Sequence, residues 1–367
     1  LRRVSLDLDA NATEPLRPAA RAALLAALDA ANPSSVHAGG RAARRVLEAA
    51  RLALSTRAGG EVVFTSGGTE ANALAIQGLG AGRRVLIGAT EHAAVRAAAP
   101  LAESIPVLPD GQVDLAVLRH LLAGPPALVC LMAANNESGV LHPLAEVAGL
   151  CRAAGALLHV DAVQAGRIGF RLDSCGADSA ALSAHKLGGP KGAGALLLRA
   201  GLPLAPLIAG GGQERGRRGG TEALPALAGF AAAEPEPGEA DRLAGLREAI
   251  EAGVRALAPE AIIAGEAAPR LPNTSLILLP GIPAETQVIA LDLMGVRVSA
   301  GAACSSGKVT RSHVLEAMGY GPLAGCALRV SLPWNATAQA VPRFLEAWGA
   351  MRERLSRRRA AGATLPA

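Results

Sequence analysis

The chain has 367 residues with 36 basic against 31 acidic side chains, and half of its residues are hydrophobic, which suits a compact fold of two domains or one large one and excludes disorder as the main state. Arg352, Arg354, Arg357, Arg358 and Arg359, opposed only by Glu353, hold most of the net charge of +5 in the C-terminal tail. With a near-neutral body and only seven Phe, Trp and Tyr residues, the chain offers neither a broad basic face nor a stacking groove for nucleic acid.

From the N-terminus, Leu1 to Asp9 alternates like a strand and lacks the apolar stretch and cleavage site of a secretion signal, so the cytoplasm is expected. Val62-Val63-Phe64, Arg84 to Ile87, Ala127 to Met132, Ala156 to Val160, Ser179 to Ser183 and Ala195 to Leu198 read as buried strands. Glu70 to Gly78, Ala93 to Leu101 and Leu144 to Ala153 read as helices between them, giving an α/β layer with a mainly parallel sheet from about 60 to 200. The longest uncharged run, Leu121 to Asn136, contains Pro125-Pro126 and falls short of the roughly 20 apolar residues a membrane-spanning helix needs. After Glu234-Pro235-Glu236-Pro237-Gly238 a helix with Leu243, Leu246, Ile250, Val254 and Leu257 on one face begins, so a domain boundary is expected there. Cys130, Cys151, Cys175, Cys304 and Cys326 are odd in number and form no Cys-x-x-Cys pair, which argues for reduced thiols and against a zinc ribbon.

Candidate chemical residues sit just past the strand ends, where open α/β sheets bind ligands. Thr65-Ser66-Gly67-Gly68-Thr69-Glu70 leaves a strand and opens a helix, and can hold a phosphate on backbone N–H groups at the positive end of the helix dipole. Gly78-Leu79-Gly80-Ala81-Gly82 follows a helix and precedes a strand, the wrong order for a dinucleotide loop. Asp161 ends an apolar strand, where burial demands a cation or donors, and a charged partner is expected. Ser183 to Lys191 then places Lys186 and Lys191 on a glycine-rich loop, and spacing does not choose between them. Lysine, buried carboxylate and phosphate cradle together suggest pyridoxal phosphate.

The sequence resembles the cysteine desulfurases of iron–sulfur-cluster and nitrogen-fixation type, within the class V aminotransferase group of the fold-type I pyridoxal-phosphate enzymes. Similarity runs through Asn32-Pro33-Ser34-Ser35 with His37, Thr65 to Glu70, Glu91-His92, Asn135-Asn136-Glu137, His159 to Gln164, Ser183 to Lys186, Gly210 to Thr221, Arg270 to Asn273, Ala300 to Ser306, and Arg329 with Ser331. The resemblance implies an α/β large domain over 12–237, and a smaller α+β domain from 1–11 and 238–367 that carries a catalytic cysteine loop. It implies Lys186 as the cofactor-bound lysine, Asp161 as the pyridine-nitrogen partner, Gln164 and Asn136 near the ring's oxygen side, and His92 stacked on the ring. Gly68, Thr69, Ser183 and His185 match phosphate contacts, Thr221 a threonine lent by the other subunit of a homodimer, and Arg329 the arginine that clamps the substrate carboxylate, assisted by Asn32 and Asn11.

Cys304, between Gly301 and Gly307, corresponds to the thiol that takes sulfur from L-cysteine as a persulfide, leaves L-alanine, and passes sulfur to an acceptor or scaffold protein. Ser312-His313-Val314-Leu315 follows at the spacing of the iron–sulfur type, which implies cluster handling near Cys304 and delivery to a scaffold. Departures from the pattern are Gly68 for alanine, Asn11-Ala12-Thr13-Glu14-Pro15 for a double threonine, and Ser331 to Thr337 for a glycine-arginine-phenylalanine turn. The alternatives are a selenocysteine lyase, another class V aminotransferase, or a non-catalytic assembly partner.

Overall fold

The computed structural model describes residues 5–301 and 311–360. Its larger sheet has seven strands, ordered Glu61–Thr65, Gly194–Leu198, Ser179–Ser183, Leu157–Asp161, Ala127–Met132, Arg84–Gly88 and Glu103–Ile105. Gly194–Leu198 runs antiparallel to both of its neighbours and every other pairing is parallel. All six expected runs are strands. Glu103–Ile105 was not expected from sequence, because on this short edge strand only Ile105 is buried.

Burial on both faces explains why these strands read as continuous apolar runs. In Ala127–Met132 every residue is buried, and alternate side chains serve opposite faces. Val129 and Leu131 join a cluster with Leu47 and Leu54 of helix Ala38–Ala58 and Val147 of helix Leu144–Ala153. Leu128 and Cys130 join Leu74, Ala75 and Ile76 of helix Gly68–Leu79 on the other side. Parallel pairing then brings the carboxyl ends of the central strands, Met132, Asp161 and Ser183, to one edge.

A second sheet of four strands, Ser299–Ala300, Ala327–Ser331, Thr274–Leu278 and Ile262–Ile263, is antiparallel. Helices Glu239–Leu257 and Ala340–Ala360 pack with it around Phe344, Trp348 and Met351, and Leu8 from the N-terminal segment joins the same core. Of the expected apolar stripe, Leu243, Ile250 and Val254 are buried and Leu246 packs against them, but Leu257 is exposed in the last helical turn, where the chain turns inward at buried Ala258. Gly238, at φ +76, supplies the left-handed residue that starts this helix after the Pro/Glu stretch. Among the described residues no helix is long and apolar enough to cross a membrane.

Candidate active site

At the carboxyl edge of the larger sheet lies a cavity of about 490 Å3, bounded on its far side by Asn11 and Ala12 of the N-terminal segment and by Ser299 and Arg329 of the smaller sheet. Asp161, the last residue of its strand, is 7% exposed there. Its partners are neutral donors: Asn72 Nδ2 at 2.8 Å to Oδ2 and the Val163 amide at 3.0 Å to Oδ1. Among the described residues the cation expected beside it is not in contact, and the amine of Lys186, which lines the same cavity, is engaged by two backbone carbonyls instead. Burial pushes the Asp161 carboxyl above its ordinary range, while the Val163 amide, His92, Asn72 and Lys186 pull it down.

Lys186 closes the turn Ala184–Lys186 that follows strand Ser179–Ser183. Its ammonium donates to the carbonyl oxygens of Asn11 at 2.5 Å and Ala12 at 3.0 Å. Burial first, then Arg329 and Arg167, lower its pKa to about 8, against the pull of Asp9 and Asp161. Lys186 lines the cavity and Lys191 is exposed, which separates the two lysines that spacing left open.

Gly68 and Thr69 line the opposite wall at the start of helix Gly68–Leu79, whose N-terminus has no side-chain cap. Its leading N–H groups are therefore free for an anion. A Cβ on Gly68 would lie 2.5 Å from Val163 Cγ2, which accounts for glycine where alanine is common. Ser183 and His185 line the same wall. His185 Nδ1 lies 3.1 Å from the Thr13 hydroxyl, and burial, then Lys186 and Lys191, lower its pKa to about 4.

His92 lines the cavity and also caps helix Ala93–Ala98, its Nδ1 accepting the Ala94 N–H at 3.1 Å. The neutral ring therefore carries its proton on Nε2. Arg329 is 2% exposed; it donates to Asp9 Oδ1 at 2.7 Å and to the Asn136 carbonyl at 3.1 Å. Asn11 is 1% exposed and its carboxamide is committed to the Asn136 carbonyl, Thr274 and Asn273, so it knits the cavity wall. Gln164 donates to the Asn11 carbonyl and accepts from Arg167, both at 3.1 Å.

Three expected residues are not gathered here. Asn32 is exposed and its Oδ1 accepts the Ser34 N–H at 2.8 Å, outside the cavity. Thr221 is exposed and does not line this cavity of its own chain. Cys304 lies outside the described residues; of the chain on either side of it, Ser299 lines the cavity and His313 Nε2 lies 3.1 Å from the Glu91 carbonyl. Conversely, the sequence reading gave no role to Asp9, Asn72 or Arg167, nor to Glu91 beyond its place in the Glu91-His92 motif. Asn72 stands alone as a polar residue among Ala71, Leu74, Ala75 and Ile76, all buried in that helix, a signal that could have found it. Arg167 is pinned by Glu14 at 3.1 Å and holds the Lys186 carbonyl at 3.2 Å.

The family model described as aminotransferase class-V matches residues 6–344. The chain is 43% identical over 362 residues to a cysteine desulfurase of Cereibacter sphaeroides, covering 92% of this chain and 93% of that one. Its fold matches a NifS-like protein of Rickettsia africae with a TM-score of 0.89 and 33% identity, covering 95% of this chain and 99% of the other. It also matches SspA, solved in complex with cysteine, with a TM-score of 0.78 and 25% identity over 91% of this chain and all of that one. A cavity at the strand ends, a match along nearly the whole length and these relatives together place the chain in the class V aminotransferase family.

Proposed function

We propose that this chain is a pyridoxal-phosphate-dependent cysteine desulfurase. It converts L-cysteine to L-alanine, takes the sulfur onto Cys304 as a persulfide and hands it to an acceptor protein for iron–sulfur-cluster or other sulfur-cofactor assembly. The observation that carries the reading is one cavity faced by the Lys186 amine, the Asp161 carboxylate, the Arg329 guanidinium and an uncapped helix N-terminus. Name and bound ligand among the relatives point the same way: a cysteine desulfurase in sequence, and a structure solved with cysteine.

The donor set fits the cofactor. An amine with a pKa near 8 is available to its aldehyde, a buried carboxylate to its ring nitrogen, and free helix-start amides with Gly68, Thr69, Ser183 and His185 to its phosphate. When bound, pyridoxal phosphate draws electrons away from the Cα of an attached amino acid. Lys186, once its amine is neutral, takes and returns the proton at Cα. Arg329 holds the substrate carboxylate, for which its planar fork suits better than a lysine. His92 offers Nε2–H to the substrate thiol as a donor and would take the thiol proton only after changing tautomer and releasing the Ala94 N–H, while Asn136 and Gln164, which line the cavity, would contact the ring's oxygen side.

Cys304 as thiolate attacks the substrate sulfur; the new S–S bond forms as the C–S bond breaks, and the electron pair left on carbon is protonated to give alanine. A free thiol with a pKa of ~8.5 needs a base or a positive charge nearby to do so at neutrality. The proposal includes a homodimer in the cytoplasm, with Thr221 completing a partner's cavity, and a division into a large domain over 12–237 and a small one from 1–11 and 238–367. The dimer suits an exposed Thr221 that the chain's own cavity does not use.

Incubation with L-cysteine and a thiol reductant is expected to release alanine and sulfide in equal amounts with no amino acceptor added. A keto acid formed only in the presence of an amino acceptor would overturn the assignment in favour of transamination.

A further inference from the structure

Behind Asp161 a row of buried polar side chains leads away from the cavity. Asn72 Nδ2 lies 2.8 Å from Asp161 Oδ2, Asn72 Oδ1 lies 2.9 Å from His159 Nε2, and His159 Nδ1 lies 2.9 Å from Ser179 Oγ. Asn72 is 1% exposed, and His159 and Ser179 not at all. The sheet places them: His159 and Ser179 are opposite residues on adjacent parallel strands, and Asn72 comes down from helix Gly68–Leu79. Burying an imidazole, a carboxamide and a hydroxyl in an otherwise apolar layer costs free energy unless all are paired. Here they are paired to one another in a line that ends on the carboxylate.

The direction of that line follows from donor and acceptor inventory. An ionised carboxylate only accepts, so Asn72 presents its NH2 to Asp161 and its oxygen to His159. His159 must then hold its proton on Nε2. Burial lowers its pKa to about 3, so it is neutral, and its bare Nδ1 takes the Ser179 hydroxyl hydrogen. Every hydrogen bond therefore points toward Asp161, and each polarises the next. Placing a proton on the Asp161 lone pair that faces Asn72 would require the Asn72 carboxamide to turn over, His159 to change tautomer and the Ser179 hydroxyl to rotate, all in a close-packed interior, and a proton elsewhere on the carboxyl would weaken the acceptor that the whole row points to.

We propose that Asn72, His159 and Ser179 are positioning residues that hold Asp161 ionised and aimed into the cavity, and so keep the pyridine nitrogen of the bound cofactor protonated. This rests on the reading of Asp161 as the ring-nitrogen partner. The other groups facing Asp161 are the Val163 amide on Oδ1, His92 and Lys186 lining the cavity, and Glu91. Glu91 is fully buried and accepts the Met132 N–H at 2.6 Å, and burial followed by Asp161 pushes its carboxyl well above the ordinary range, which disfavours a second negative charge beside Asp161. Together with the Val163 amide, His92 and Lys186, the relay opposes the cost of burying the Asp161 charge without a cation in contact.

The test is nitrogen NMR of the holoprotein loaded with pyridoxal phosphate labelled with 15N in the ring, followed against pH. The wild-type ring is expected to stay pyridinium through the neutral range. Asn72→Ala and His159→Leu are expected to lower its titration midpoint by about one pH unit or more, a tenfold loss of ring-nitrogen basicity. His159→Gln, whose amide can donate to Asn72 and accept from Ser179, is expected to restore it. If Asn72→Ala and His159→Leu lower cofactor occupancy or thermal stability yet leave the midpoint at the wild-type value, the residues are merely structural and the relay is wrong. Should His159→Leu not fold, Asn72→Ala against His159→Gln decides the matter. Asp161→Asn serves as the control: if it too leaves the ring signal unchanged, the assignment of Asp161 itself fails, whatever the relay does.

Discussion

Lys186→Ala is expected to slow alanine formation from L-cysteine by about 10³-fold or more, because a positioned proton-transfer group contributes roughly 10²–10⁴ and this one is also the cofactor's attachment point. The structure supplies the reason the amine is ready to act. Burial, Arg329 and Arg167 lower its pKa to about 8, so a sizeable neutral fraction exists near neutrality, where an exposed lysine has almost none. Only the neutral amine attacks an aldehyde. Uptake of pyridoxal phosphate by the apoprotein is therefore expected to speed up as pH rises and to level off above about 8, monitored by visible absorbance. Lys186→Ala loses that absorbance and its pH dependence together. Exposed Lys191 changed to alanine leaves both as they were.

Arg329→Ala is expected to lower kcat/KM for L-cysteine by about 10²- to 10³-fold, chiefly through KM, since truncating one member of a desolvated charge pair costs about 2–5 kcal/mol. The guanidinium is fixed before substrate arrives: Asp9 holds one end at 2.7 Å and the Asn136 carbonyl the other at 3.1 Å, while its Nε has no partner among the described residues. A lysine cannot reproduce two such planar contacts, so Arg329→Lys recovers little of the loss. Arg329 is also the largest charged influence lowering the Lys186 pKa. Its removal is expected to move the midpoint of cofactor uptake to higher pH, and a steady-state titration alongside the uptake assay reads both effects in one variant.

Much of this site was legible because its residues occupy places that propensity and burial mark. Asp161 breaks an apolar strand at its carboxyl end, Lys186 follows the next strand by three residues, and Gly67-Gly68 separates a strand from a helix. The strands themselves showed as apolar runs because both faces are covered. What escaped were residues whose meaning depends on distant chain. Asp9 pairs with Arg329 across 320 positions, and Arg167 meets Glu14 across 153. No local pattern predicts such pairs. The cation expected at Asp161 is replaced by Asn72 and a backbone amide, an equally good answer to desolvation that composition cannot distinguish from an ion pair. Trp334, in the stretch that departs from the family pattern, lies beneath the Arg17 guanidinium at 4.9 Å and donates to the Pro15 carbonyl at 2.8 Å, so this substitution still braces the N-terminal wall of the cavity.

The most direct measurement is the mass of the protein and of its Cys304 peptide after brief exposure to L-cysteine without reductant. One extra sulfur atom on Cys304 in the wild-type chain, absent from Cys304→Ala and from Lys186→Ala, is the predicted result. An unmodified Cys304 in a preparation that nonetheless turns L-cysteine into alanine would contradict the account.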